Sequence, residues 1–119
     1  MVLVDTSIWI THLRQGSRQL QMLLMDAEVM CHSFIIGELA CENLKNRIEI
    51  ISLLQSLPMA ATIEFEEYLF FIDKHLLMGK GIGFVDVQLL ASAQLTGIRL
   101  WTADKRLRSA ADQLELSFK

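Results

Sequence analysis

Four acids stand where solubility alone does not explain a carboxylate: Asp5, Glu38, Asp86 and Asp104. Asp5 ends the apolar run "MVLV" and is followed at once by Thr6 and Ser7. Asp104 repeats the arrangement in "LWTADKRL", with an apolar run, a hydroxyl at Thr102, the acid and then a helix-like segment. Asp86 lies in "GIGFVDVQLLASA", after a glycine-rich turn and inside an otherwise apolar helix. Glu38 lies in "SFIIGELAC", again among apolar neighbours. A charge in an apolar helix needs a partner or an ion to offset its desolvation. Taken singly, each acid also has a plain structural reading: Asp5 as a helix cap, Asp86 as a dipole partner, Glu38 as one polar residue on a solvated face.

Brought together, the acids repel. At ~4 Å and an effective dielectric of ~20, each pair of like charges costs ~4 kcal/mol. A cluster therefore calls for a cation, and an all-oxygen ligand set selects Mg²⁺ or Mn²⁺ over zinc. Such an ion suits phosphoryl-transfer chemistry, because it lowers the pKa of a water and offsets charge developing on a phosphate. Lys105, Arg106 and Arg108 follow Asp104 directly in a chain of net charge −3. A local basic cluster of this kind is placed to hold a phosphodiester backbone; its plain alternative is a solvated helix face. Lys45 and Arg47 make a weaker second patch. Ser7 and Thr102 fit either helix caps or hydrogen bonds to a carboxylate. His12, His32 and His75 are scattered without ligand spacing, and "GKGIG" lacks the Lys-Ser/Thr that a phosphate-binding loop requires.

The elements that must position these acids alternate between strand and helix. "MVLV", "EVMCH" and "IRLWT" read as strands, with "MAATI" a weak further one and "LELSF" a closing one. Helices are expected over "TSIWITHLRQG", capped by Thr6 or Ser7, and over "QLQMLLMDA". Further helices are expected over "FIIGELACENLKN", capped by Ser33, and over "RIEIISLLQSL". "EFEEYLFFIDKHLLMGKG" should end at Gly79 and Gly81, "GFVDVQLLASAQLTG" at Gly97, and "DKRLRSAADQ" makes a short last helix. This alternation predicts an α/β fold with a mostly parallel sheet covered on both faces. In such folds ligands bind beyond the carboxyl ends of the strands, which is where Asp5 and Asp104 fall.

Length and composition agree with one domain and one core: 119 residues, 52% of them hydrophobic. That apolar content, dense in "WITHL", "IEIISLLQSL" and "EYLFFI", predicts surface covered by another chain. No apolar stretch reaches the ~18 residues of a membrane span, and no signal peptide precedes the first strand, so the expected compartment is the cytoplasm. Cys31 and Cys41 make no metal spacing and read as small buried residues; Trp9, Phe70, Phe71 and Trp101 read as core.

"VDTSIWI", the glutamate of "GELA", "GKGIGFVDVQLLASA" and "LWTADKRL", in that order, closely resemble the PIN-domain ribonucleases, in particular the VapC toxins of type II toxin–antitoxin systems. The resemblance implies a three-layer α/β/α PIN fold over residues 1–119 and an endoribonuclease dependent on Mg²⁺ or Mn²⁺. It also implies a VapB-type antitoxin partner and a homodimer. By motif, Asp5, Glu38, Asp86 and Asp104 correspond to the family's acidic quartet, with Ser7 and Thr102 its site-lining hydroxyls. Ala103 stands where relatives often carry a basic residue. Other classes fit less well. A haloacid-dehalogenase-type phosphatase needs an acid where Ser7 stands, a receiver domain needs an acidic pair by the first strand, and a degenerate PIN module used only for binding would have lost acids that are all present here.

Overall fold

Val2, Leu3 and Val4 are apolar without alternation because both faces of their strand are covered. This strand, β1 (Val2–Val4), is the centre of the molecule. In the computed structural model, which describes residues 1–119, it pairs in parallel with β2 (Val29–Met30) on one side and β3 (Arg99–Trp101) on the other. The register sets Leu3 against Met30 and Leu100. Two single bridges extend the sheet, Cys31 to Met59 beside β2 and Leu100 to Ser117 beside β3. The weak "MAATI" and the closing "LELSF" therefore join the sheet as bridges rather than as full strands.

The helices are α1 (Thr6–Gln15), α2 (Arg18–Met25), α3 (Ser33–Ala40), α4 (Arg47–Gln55), α5 (Phe65–His75), α6 (Phe84–Thr96) and α7 (Lys105–Gln113). The strand order β2-β1-β3 means that the chain moves outward through β2, then crosses back over β1 to reach β3. Right-handed crossovers then put α1–α4 on one face and α5–α7 on the other, giving three layers. The contacts α1–α3, α3–α4 and α5–α6 follow that division. Helix α6 is the most deeply set: Val87 to Ala93 are all buried, which explains why this stretch is apolar apart from Gln88 and Ser92. One core of 22 buried residues joins the sheet to both helix layers. Leu3, Leu89, Leu90 and Leu100 are fully enclosed in it, and each contributes about 1.5–3 kcal/mol by leaving water. No helix is long and apolar enough to cross a membrane.

Several local expectations are corrected. Helix α3 is capped by His32, whose ring Nδ1 accepts from Phe34 N–H at 3.0 Å, and Ser33 is its first residue. Helix α1 starts after Asp5, and neither Thr6 nor Ser7 caps it. Helix α5 ends at Leu76, with φ of 53°, before Gly79 and Gly81 are reached. Reversal there sends Leu77 into the core while Leu76 stays outside. Cys41 is exposed at the end of α3, whereas Cys31 is buried and its thiol is pushed up to about 11 by desolvation. Phe70 is 66% exposed and so is not core.

Candidate active site

Strand order reverses at the seam between the parallel neighbours β1 and β3, because the chain leaves β1 toward β2 on one side and later returns to its other side as β3; the carboxyl ends of β1 and β3 deliver Asp5 and Asp104. Asp5 N–H is bonded to Trp101 carbonyl at 2.9 Å, which locks the ends of the two strands together. Asp5 occupies the cap position of α1 but makes no side-chain cap bond. Its Oδ2 instead accepts from Thr102 Oγ1 at 2.7 Å and from Ser7 Oγ at 2.9 Å. The plain helix-cap reading of Asp5 therefore does not hold.

The hydroxyls form a frame behind the acids. Ser7 Oγ accepts from Ala103 N–H at 3.1 Å, and Thr102 Oγ1 accepts from Asp104 N–H at 3.0 Å. The backbone of residue 103 thus serves the frame whatever its side chain is. Asp104 does cap its helix: its Oδ1 accepts from Arg106 and Leu107 N–H at 2.9 and 3.0 Å. Thr6 donates to Glu38 Oε1 at 2.6 Å and so ties α3 to the start of α1. Asp86 Oδ2 accepts from Gly83 N–H at 3.3 Å in the first turn of α6. Thr6 was not among the sequence candidates, although its place beside Asp5 gave a signal for it.

Each carboxylate therefore spends one oxygen on the protein. The other, Oδ1 of Asp5 and Asp86, Oδ2 of Asp104 and Oε2 of Glu38, takes no hydrogen bond from any side chain or backbone donor. The second oxygen of Asp5 opens to the surface, since the sealed polar atoms without partners belong to Trp9, His75 and Gln88.

The four acids also act on one another. Asp86 titrates above the ordinary aspartate value, first because it is desolvated and then because Asp5, Asp104 and Glu38 repel its charge; the Gly83 N–H opposes the rise. No basic side chain relieves them. The chain's one ion pair joins the amino terminus to Glu28 and includes none of the four. An anionic, all-oxygen set without a basic partner fits a hard divalent cation in charge and in donor chemistry. No three Asp, Glu, His or Cys side chains yet form a ready ligand cluster, so binding would require the free oxygens to close on the ion.

The basic candidates separate. Arg108 donates to Thr102 carbonyl at 2.9 Å and braces the strand end. Lys105 is exposed. Arg106 is exposed but lies against the backbone of Gly81. Arg47 is turned to Ala40 carbonyl. His32 is fully buried, with Nε2 at 3.0 Å from Ser92 Oγ, and has no part in the acidic site.

Comparison with known proteins agrees with the fold and with the motifs. The PIN domain family model matches residues 2–113. The chain is 44% identical over 111 residues to Ribonuclease VapC32 of Mycobacterium tuberculosis, strain CDC 1551 / Oshkosh, covering 92% of this chain and 90% of that protein. The same figures hold for Ribonuclease VapC32 of strain H37Rv. A parallel sheet of this order, acids at its switch point and a family match over nearly the whole chain make this protein a VapC-type member of the PIN-domain family.

Proposed function

We propose that the chain is the toxin endoribonuclease of a VapBC-type toxin–antitoxin system, that residues 1–119 act as one PIN domain, and that Asp5, Glu38, Asp86 and Asp104 are its catalytic acids. The observation that carries the site is the pattern of half-used carboxylates: four acids, each oriented through one oxygen and open at the other, raising the pKa of Asp86 together and lacking a basic partner.

In this reading, Asp5, Asp86 and Asp104 hold Mg²⁺ or Mn²⁺, and Glu38 completes the ligand set or orients the attacking water. The ion supplies acidity to the water and offsets the charge that builds on the phosphate. The residues of the chain do the rest. Thr102 and Ser7 fix Asp5 in one rotamer, Thr6 fixes Glu38, and the backbone of α7 fixes Asp104. Such preorientation lowers the cost of assembling the reacting groups. Lys105, Arg106 and Arg108 border the site from α7 and supply positive charge toward an RNA backbone. We place this action in the cytoplasm.

A partner surface also fits. Trp9, Leu13, Leu24, Leu53, Leu54 and Leu57 line a groove of about 290 Å³ between α1, α2 and α4. Its walls suit an apolar segment of the antitoxin. Phe65, Leu69 and Phe70 on α5 stand exposed as a second apolar face, which suits a second copy of the chain. An antitoxin arginine or lysine among the four acids would offset the same repulsion that the metal offsets.

Purified protein, free of its partner, is expected to cut total cellular RNA with Mg²⁺ or Mn²⁺ and to stop on addition of EDTA. Full activity of Asp5→Asn protein would falsify the assigned site. Sequencing of RNA ends after induction of the native chain, beside the Asp5→Asn control, identifies the target.

A further inference from the structure

The glycine-rich "GKGIG" fails as a phosphate-binding loop, yet the structure gives one of its glycines a specific neighbour. A Cβ at Gly81 would come within 2.7 Å of both Cδ and Nη1 of Arg106 and 3.2 Å of Cζ. The far end of the Arg106 side chain thus lies against a stretch of backbone that only glycine leaves bare, and Gly81 has φ of +77°, which also favours glycine. Arg106 is in the first turn of α7, two residues past Asp104; Gly81 precedes by five residues the Asp86 of α6. The contact therefore spans the rim between two of the four acids. Arg106 makes no ion pair and no side-chain hydrogen bond, although the site beside it is acidic. Its two basic neighbours differ: Arg108 is committed to Thr102 carbonyl, and Lys105 is exposed.

We propose that Gly81 is a positioning residue: it leaves room for Arg106 to lie along the rim with its fork of donors free for an RNA phosphate next to the one that is cleaved. This rests on the ribonuclease reading above. A guanidinium offers paired donors to phosphate oxygens in a fixed fork that a lysine ammonium lacks. A side chain on Gly81 would push the far end of Arg106 away without touching any of the acids.

Gly79 supplies the matched control. It has φ of +73°, but a Cβ there would meet nothing within 4 Å. Gly79→Ala and Gly81→Ala thus impose similar backbone strain, and only the second displaces Arg106. The test uses Asp5→Asn protein, expected to bind RNA without cutting it, as the background for Gly79→Ala, Gly81→Ala, Arg106→Gln and the Gly81→Ala/Arg106→Gln pair. Filter binding of end-labelled total cellular RNA is followed over a range of KCl concentrations, alongside thermal melting. Gly81→Ala and Arg106→Gln are each expected to weaken binding by about tenfold, the size of one charge-assisted hydrogen bond, and to lower the salt slope by about one. The pair should lose no more than either alone, and Gly79→Ala should bind as the background does. Arg106→Gln leaves the turn untouched and so gives the answer even if Gly81→Ala does not fold. An unchanged affinity and salt slope in Arg106→Gln overturns the proposal, as does a Gly81→Ala protein that binds like Gly79→Ala. Cleavage that persists in the Asp5→Asn background overturns the assignment of the site itself, which is a different failure.

Discussion

Asp5 and His32 are both buried polar side chains just past the ends of neighbouring parallel strands, β1 and β2. They are treated in opposite ways. His32 uses both ring nitrogens: Nδ1 accepts from Phe34 N–H, so Nε2 carries the proton and donates to Ser92 Oγ. Burial holds this ring below the usual imidazole pKa, in its neutral form. Asp5 takes two hydroxyl donors on one oxygen and leaves the other open to the surface. A buried polar group that serves the fold closes its hydrogen-bonding capacity, because an unmet group costs about 1–3 kcal/mol. A group kept for a ligand leaves capacity over. The difference separates a histidine that looks catalytic by residue type from an aspartate that looks like a cap by position.

Substitution can break that comparison. The largest expected effect is on activity: Asp5→Asn or Asp86→Asn should reduce RNA cleavage by more than the ~10–100-fold that losing an outer-shell partner of a metal site costs, with the fold retained. Cleavage assays beside melting curves check both halves. His32→Ala should do the converse. It opens a cavity and strands Ser92 Oγ, at a cost of about 3 kcal/mol or more in urea denaturation, and RNA cleavage per folded molecule should persist. A loss within the ±0.5 kcal/mol of a surface change would show that the His32–Ser92 pair does not hold α3 to α6. Thr102→Val is intermediate: it removes the shorter of the two bonds that fix Asp5, so cleavage should fall by roughly 10–100-fold.

The smallest effects concern pH. Asp86 has a raised pKa in the folded chain, so its ionisation penalises the metal-free fold at neutral pH. That penalty is relieved as pH falls through the folded value toward 3.8, because the folded state takes up the proton first. Metal-free Asp86→Asn should therefore melt at or above the native temperature at neutral pH, with the difference vanishing in acid. Mg²⁺ should raise the melting temperature of the native chain by mass action and that of the variant much less. His32 runs the other way. Its folded pKa lies below 6.5, so its contribution is whole above that pH and is lost as pH falls, since the unfolded state protonates first. Comparing native and His32→Gln stability across this window checks the sign.

Much of this arrangement was legible in the sequence. The alternation of strand and helix, with an acid directly after an apolar run at Asp5 and three residues after one at Asp104, placed both acids at the functional edge, because strand ends and helix starts are local features. What was not legible depends on contacts distant in sequence. Cap rules favour Ser33 over His32, and only Ser92, sixty residues on, gives the ring a second reason to turn inward. Glycine rules favour a helix end at Gly79, whereas α5 turns at Leu76 because Leu77 has a place in the core. Thr6 reaches Glu38 across 32 positions, and Gly81 meets Arg106 across a shorter but still non-local interval. Phe70 has an apolar side chain but lies on the outer face of α5.

The central claim is that the four acids form one electrostatically coupled site awaiting a cation, and the titration of Asp86 tests it most directly. Carboxyl-carbon NMR of the metal-free chain should find Asp86 titrating above the ordinary aspartate value. Asp5→Asn or Glu38→Gln should each bring it down, and Mg²⁺ should bring it down further in the native chain. An Asp86 that titrates as a free aspartate, unmoved by either substitution and by Mg²⁺, would contradict a shared site.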